Sequence, residues 1–251
     1  PRGGGAHVHA FVEIANRAQE KFSGRVLIES VGYSAESKFE AAPDSIAEVP
    51  IDVALPDARH WSPDAPNLYE LRVRLFDARD EIDSITDRFG VRTVETKGTR
   101  ILLNGQPILI RGVNRYDEFP GRGPVADELT IRADLEAVKA SGANLIRVHY
   151  PQDPIHLRIA DEIGLLFIEE VPLNWWRASW HPPVPPEFQN DRIIYQAEIA
   201  LQQMIRRDGN HPSIIVWSVA NECQAADDLG KFQKAIIERA GGFAYGRQRA
   251  R

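Results

Sequence analysis

An all-β domain followed by a parallel α/β domain is the fold class this sequence predicts, and three observations predict it. Apolar and polar residues alternate from His7 to about Arg92, strand-like and helix-like segments alternate after about residue 107, and polar clusters gather where the later strands end. Period-two alternation gives a sheet one core face, whereas repeated βα units need a sheet flanked by helices.

In the first part, Val8, Ala10, Val12 and Ile14 alternate with His9, Phe11 and Glu13. Val49, Ile51, Val53 and Leu55 do the same, as do Tyr69, Leu71, Val73 and Leu75. Turn residues separate the runs at Pro43-Asp44-Ser45, Ser62-Pro63-Asp64 and Asp77-Ala78-Arg79-Asp80. Short strands with no helix among them indicate a β-sandwich of immunoglobulin type over residues 1–93. Next, Ile101-Leu102-Leu103 and Pro107-Ile108-Leu109-Ile110 flank Asn104-Gly105, the dipeptide a two-residue hairpin favours.

Beyond the hairpin, helices are expected over 127–140, 154–163, 191–207 and 227–239, and strands over 144–148, 165–171 and 213–219. The first helix carries Leu129, Ile131, Leu135 and Val138 on its expected buried side; Gly142 and Gly164 end the first two helices. The run Ser213-Ile214-Ile215-Val216-Trp217 is nearly continuous in apolar residues, as a strand buried on both faces requires. A doubly wound sheet and a (β/α)₈ barrel both satisfy this pattern. Four βα units fit between residues 107 and 240, and a whole barrel takes roughly 250 residues, so a barrel here is half of one.

Composition narrows the function classes. A formal net charge of −6 leaves no basic footprint for nucleic acid. Cys223 is the sole cysteine, which excludes an internal disulfide and a cysteine-based metal site. No apolar run approaches the ~18 residues of a membrane span. The start, Pro1-Arg2-Gly3-Gly4-Gly5, has neither an initiator Met nor a signal core, and the location is left between cytoplasm and periplasm. There is no Gly-rich phosphate loop, no His-Glu-x-x-His and no Gly-x-Ser-x-Gly.

Chemistry collects at the strand ends. Asn114-Arg115-Tyr116-Asp117-Glu118, Arg147-Val148-His149-Tyr150, Glu169-Glu170 and Asn221-Glu222 each follow a strand, and in parallel α/β folds ligands bind at that face. Glu222 follows an apolar strand, so its carboxyl is expected to be partly desolvated, with the raised pKa a general acid needs. Asn221 can donate to a substrate hydroxyl. Glu170 and Glu169 are the other carboxyls of this mouth, and spacing alone leaves a Glu170–Glu222 pair open. Trp175, Trp176 and Trp180 offer aromatic platforms for the apolar face of a sugar.

The ordered set of stretches resembles glycoside hydrolase family 2, the β-galactosidases, β-glucuronidases and β-mannosidases. These are Trp61-Ser62-Pro63-Asp64-Ala65-Pro66-Asn67-Leu68-Tyr69, Leu102 to Pro107, Ile110-Arg111-Gly112-Val113-Asn114-Arg115, Gly142 to Arg147, His149-Tyr150-Pro151, and His211 to Ser218 leading into Asn221-Glu222. The resemblance implies an immunoglobulin-like sandwich over 1–93, then a (β/α)₈ TIM barrel over 94–251, truncated after about four βα units. It implies a retaining β-glycosidase acting on terminal β-linked sugars, β-galactosides or β-glucuronides, in carbohydrate metabolism. Glu222 is then the acid/base, Asn221 holds the sugar 2-hydroxyl, His149 and Arg115 line the pocket, and Glu170 supports it. Trp175 and Trp176 belong to the same substrate-binding set.

Three departures accompany the likeness. Tyr116 stands where the family usually has His, the family's nucleophile near the seventh strand has no counterpart, and the sugar-binding jelly-roll domain that normally precedes the sandwich is missing; the tail 241–251 also has no strand or helix period. The expected substrate is a β-glycoside or oligosaccharide, with no nucleic acid or membrane partner, and a homo-oligomeric parent is one expectation. Hydrolysis demands no cofactor, although some relatives carry Mg²⁺ or Na⁺. The chain by itself is expected to be inactive. A non-catalytic carbohydrate-binding or assembly fragment is the competing expectation, and an inverting enzyme using Glu170 with Glu222 is a third.

Overall fold

The computed structural model describes residues 5–174 and 191–222. The chain divides into two compact units, one of residues up to His60 with Asn67–Val91, the other of Trp61–Pro66 with the chain from Arg92 onward.

The first unit is a β-sandwich, with six strands among the described residues. Strands β1 (Ala6–Asn16) and β4 (Ser45–Leu55) pair antiparallel from Ala6↔Leu55 to Asn16↔Ser45. The second sheet runs in the order β3 (Tyr33–Ala41), β2 (Phe22–Ser30), β5 (Tyr69–Phe76) and β6 (Glu81–Phe89). The period-two pattern delivers one face of each sheet to a shared core: Ile14, Val49 and Ile51 from the first, Val26, Ile28 and Val73 from the second.

The second unit opens with a small antiparallel sheet of β7 (Val94–Lys97), β8 (Arg100–Leu103) and β9 (Gln106–Pro107). Asn104 and Gly105 join the last two with φ of 53° and 74°. Both central residues of a type I′ turn need positive φ, which Asn and Gly adopt most readily. The second strand of this hairpin stops at Pro107 rather than continuing to Ile110.

Four parallel strands follow in spatial order β10 (Gly112–Asn114), β11 (Leu145–Arg147), β12 (Leu166–Glu170) and β13 (Ile214–Ser218). The connecting helices are α1 (Glu128–Ala140), α2 (Pro154–Ile163) and α3 (Asp191–Asp208). These are consecutive βα units of a TIM barrel. Asp127 caps α1 by accepting from the Thr130 N–H; Asp153 caps α2, whose first residue is Pro154. Ile146, Val148, Phe167 and Ile214 pack with Ile131, Leu135, Leu157 and Ile159 of the helices.

Leu129 departs from expectation at 79% exposed. It sits about 200° around the helix from Ile131, so the stripe made by Ile131, Leu135 and Val138 turns it to solvent. The expected helix over 227–239 and the Trp175, Trp176 and Trp180 platform lie outside the described residues.

Gly164 and the Trp61–Pro66 segment explain one another. Gly164 ends α2 at φ 71°, and a Cβ there would lie 2.3 Å from the Pro63 carbonyl oxygen. Trp61 is fully buried, and its indole N–H donates to the Asp161 carbonyl at 2.9 Å. Asp161 in turn accepts from the Ser213 N–H at 3.0 Å and pairs with His211 at 2.6 Å. Arg92 reaches the same end, donating from Nε to the Pro212 carbonyl and from Nη2 to the Ile214 carbonyl, each at 2.5 Å. Burial pushes its guanidinium down to about 10, against the opposing pull of Asp161.

Candidate active site

Alternation along the parallel strands decides which side chains meet. Ile146 and Val148 face the helices, so Arg147 and His149 face the other way; Phe167 faces the helices, so Ile168 and Glu170 join Arg147. The two adjacent glutamates therefore part company.

Glu170 is fully buried at the end of β12 and accepts from three side chains. Arg147 donates to its Oε2 from Nη2 at 2.8 Å and from Nε at 3.3 Å, and the Ser218 hydroxyl donates to the same oxygen at 2.7 Å. His149 Nδ1 lies 3.0 Å from Oε1. A carboxylate only accepts, so Nδ1 carries the proton in this contact. Arg147 Nη2 also donates to Asn221 Oδ1 at 2.8 Å. Asn221 is held at the main chain by its own N–H to the Leu173 carbonyl, 2.9 Å, in a parallel bridge with Asn174. Tyr116, 52% exposed, stacks at a tilt on the His149 ring with centroids 5.3 Å apart. The position where the resemblance leads one to expect His thus still supplies a ring to the mouth.

Glu222 follows Asn221, with its backbone in the left-handed region at φ 49°. Its side chain is exposed, a correction to the expected desolvation. The apolar strand responsible for that expectation ends at Ser218, four residues earlier, so Glu222 is clear of its burial.

Glu169 points into the helix layer. It is fully buried beside Asp208 and Arg207, accepts from the Gln152 N–H at 3.0 Å, and has Arg207 Nη2 at 3.5 Å. Burial, with the Asp208 charge adding to it, pushes its carboxyl up to about 8. Arg115 forms a separate neighbouring network: its guanidinium donates to Asp134 and Asp117, each at 2.6 Å, and to Gln152 at 3.2 Å. Burial raises the Asp117 carboxyl, but His156 and Arg115 outweigh it and hold it below its ordinary value. So the structure brings His149, Glu170 and Asn221 together, and leads Glu222 off the same chain end. It sets Arg115 beside them, 7% exposed and committed to its own partners.

Ser218 was not singled out by the sequence, and Arg147 only as part of a cluster; their signal is the two-residue step from His149 and the ladder pair Glu170↔Ser218. A divalent cation does not fit at Glu170, whose oxygens already face a guanidinium, a hydroxyl and a ring N–H. No group of three or more His, Cys, Asp or Glu is placed to hold a metal among the described residues.

Two family models cover this chain. "Glycosyl hydrolases family 2" matches residues 2–92, and "Glycosyl hydrolases family 2, TIM barrel domain" matches residues 94–239. The chain belongs to glycosyl hydrolase family 2. Family-2 relatives include a beta-galactosidase of Pectobacterium atrosepticum, 37% identical over 186 residues, covering 70% of this chain and 17% of that protein. Beta-galactosidase 2 of Enterobacter cloacae is 36% identical over 178 residues, covering 68% of this chain and 17% of that protein. Among solved structures, a family-2 beta-galacturonidase from Eisenbergiella tayi bound to galacturonate superposes with a TM-score of 0.83 at 26% identity, covering 99% of this chain and 45% of that one. The Bacteroides uniformis beta-glucuronidase has the same fold, with a TM-score of 0.79 at 23% identity over 99% of this chain and 31% of that one. The chain spans about a fifth of the curated relatives it matches and less than half of these solved chains.

Proposed function

We propose that Glu222 is the general acid/base of a retaining β-glycosidase and that Asn221 holds the sugar hydroxyl next to the reacting carbon. The observation that carries this reading is the Asn221-Glu222 pair at the carboxyl end of β13, beside the Arg147–His149–Glu170 network on the same mouth. That mouth is where a TIM barrel does its chemistry. Its exposure lets Glu222 reach a glycosidic oxygen, protonate it as the bond breaks, and take a proton from water in the second step.

A retaining enzyme needs a second carboxylate as nucleophile roughly 5–5.5 Å from the first. Glu170, saturated by Arg147, Ser218 and His149, supports the pocket instead, and Glu169 serves the helix layer. This argues against an inverting Glu170–Glu222 pair. By the family resemblance the nucleophile is a glutamate near the seventh strand, which the four parallel strands described here do not include. The similarity to β-galactosidases and β-glucuronidases supports terminal β-galactosides or β-glucuronides as the substrate class. Trp175 and Trp176 serve as sugar platforms, and Arg115 orders the loop after β10 that carries Tyr116.

The test has two arms. The 251-residue chain turns over neither aryl β-galactosides nor aryl β-glucuronides; robust turnover would show that the nucleophile lies within it and overturn the reading. In a polypeptide carrying these residues within a complete barrel, Glu222→Gln lowers kcat by about 10²–10⁴ on phenyl glycosides, which need acid assistance. Dinitrophenyl glycosides, whose leaving group needs none, lose far less in bond cleavage. Equal loss on both removes Glu222 from the acid role. Sugar binding that survives Glu222→Gln with no hydrolysis in either context identifies a binding module.

A further inference from the structure

Arg147 does more than neutralise Glu170. We infer that it is a positioning residue that fixes which end of the Asn221 carboxamide faces the substrate. The inference rests on the proposed glycosidase mouth for its consequence, though not for its geometry.

Three successive strands are tied through one guanidinium nitrogen. Arg147 on β11 donates from Nη2 to Glu170 Oε2 on β12 and to Asn221 Oδ1 beyond β13, both at 2.8 Å. The main chain of Asn221 is clamped by its N–H to the Leu173 carbonyl. With the main chain held, the direction of the amide is set by the side-chain torsions, the last of which is broad and roughly two-fold for an asparagine. The two ends of a carboxamide are nearly the same size, so packing scarcely distinguishes them; hydrogen bonding does. A guanidinium has donors and no acceptor, so only the amide oxygen can face it. Arg147 therefore holds the oxygen inward and turns the amide nitrogen, a donor, to the opposite side.

The same fork is itself pinned. Glu170 is fully buried and is gripped from a second side by the His149 ring and the Ser218 hydroxyl. The Arg147 side chain, 31% exposed, reaches the mouth with its direction set from behind. A planar, pre-organised fork can serve two acceptors at fixed angles, which a lysine ammonium on a flexible stem cannot. The sugar hydroxyl met by Asn221 thus receives a hydrogen bond and does not give one. In glycoside hydrolysis such bonds to the 2-hydroxyl strengthen in the transition state. Arg147 then governs discrimination at that hydroxyl without touching the sugar.

Two variants test it. Arg147→Lys keeps a positive charge beside Glu170 and loses the fork. Asn221→Asp keeps an oxygen for Arg147 and abolishes the outward donor. In ¹⁵N-asparagine-labelled chain, Arg147→Lys is expected to lower the order parameter of the Asn221 NH₂ group from the rigid range to below about 0.6. Binding of p-nitrophenyl 1-thio-β-D-galactoside relative to its 2-deoxy counterpart, followed by NMR, is expected to lose about tenfold in preference in both variants. An Asn221 group as ordered in Arg147→Lys as in the parent overturns the inference, as does an undiminished 2-hydroxyl preference in Asn221→Asp. If the parent binds no thiogalactoside, the glycosidase reading of the mouth loses its support, and the order parameter alone decides whether Arg147 sets the amide.

Discussion

At Glu222 the backbone sits at φ 49°, a region that costs an L-residue roughly 1–2 kcal/mol and that glycine enters freely. Strain of this kind is kept where surrounding structure imposes it, and here the Asn221 clamp to Leu173 and Asn174 does so. Comparing Glu222→Gly with Glu222→Ala removes the carboxylate from both and isolates the backbone. The glycine variant is expected to be the more stable by about 1 kcal/mol in urea unfolding, the reverse of the order on a helix or strand. An alanine variant of equal or higher stability would show that the backbone there is unstrained. The residue scale is also where sequence reading was strongest and weakest. The positions of Asn221 and Glu222 at a strand end were legible because a parallel strand ends where its apolar run ends. That Glu169 and Glu170 face opposite layers follows from period two, but only once the register of β12 is known. The exposure of Glu222 was hidden, since it depends on how far the chain travels after Ser218 before it turns.

Elements show the same division. Helices α1 and α2 were readable from apolar spacing and their terminal glycines, which are local signals, whereas the hairpin between β2 and β3 carries an unusual choice. Val31 and Gly32 form its two-residue turn at φ 51° and 83°, and a β-branched residue there is a steric outlier. Val31 is 61% exposed, so nothing in the core is lost by changing it. Val31→Asn is expected to raise the urea midpoint by the equivalent of about 1 kcal/mol; no gain would mean that the turn relaxes its valine without cost. Between β12 and α3 lies a second element-scale device, the buried Glu169–Asp208 pair. Glu169 is raised to about 8 by burial first and the Asp208 charge second, against an ordinary value of 4.5. A carboxyl raised in the folded state favours folding fully below its unfolded pKa, and that contribution falls as pH rises through about 8. The parent chain is therefore expected to melt lower at pH 8.5 than at pH 6, and Glu169→Gln to flatten the difference. Glutamine keeps the size of the side chain and removes its titration beside Asp208. A slope unchanged in Glu169→Gln assigns the pH dependence to other groups.

Across the whole molecule, the least legible feature was the path of the chain between its two compact units. Trp61–Pro66 reads as part of the sandwich because it lies between strand-forming segments, and nothing in a period-two pattern marks a residue that packs elsewhere. Its partners are far along the chain: Asp161 and Gly164 at the end of α2, Asn104 of the hairpin, and Lys139 near the end of α1. The His211-Pro212-Ser213 motif has its physical reason here too, since Asp161 binds both His211 and the Ser213 N–H. These residues lie at the end of the parallel sheet opposite the mouth, where barrel residues secure stability rather than chemistry. Trp61→Ala removes a fully buried indole and its hydrogen bond to Asp161, and truncations of this size cost about 3–5 kcal/mol. The loss belongs to the second unit, because every one of those partners is in it. Hydrogen exchange is expected to rise at the amides of α2 and β13 while the β2–β5 ladder of the first unit keeps its protection. Equal loss of protection in both units would mean that they unfold as one. Unchanged exchange at α2 would mean that Trp61 merely fills space there. The measured split decides whether this motif stabilises the barrel alone or the chain as a whole.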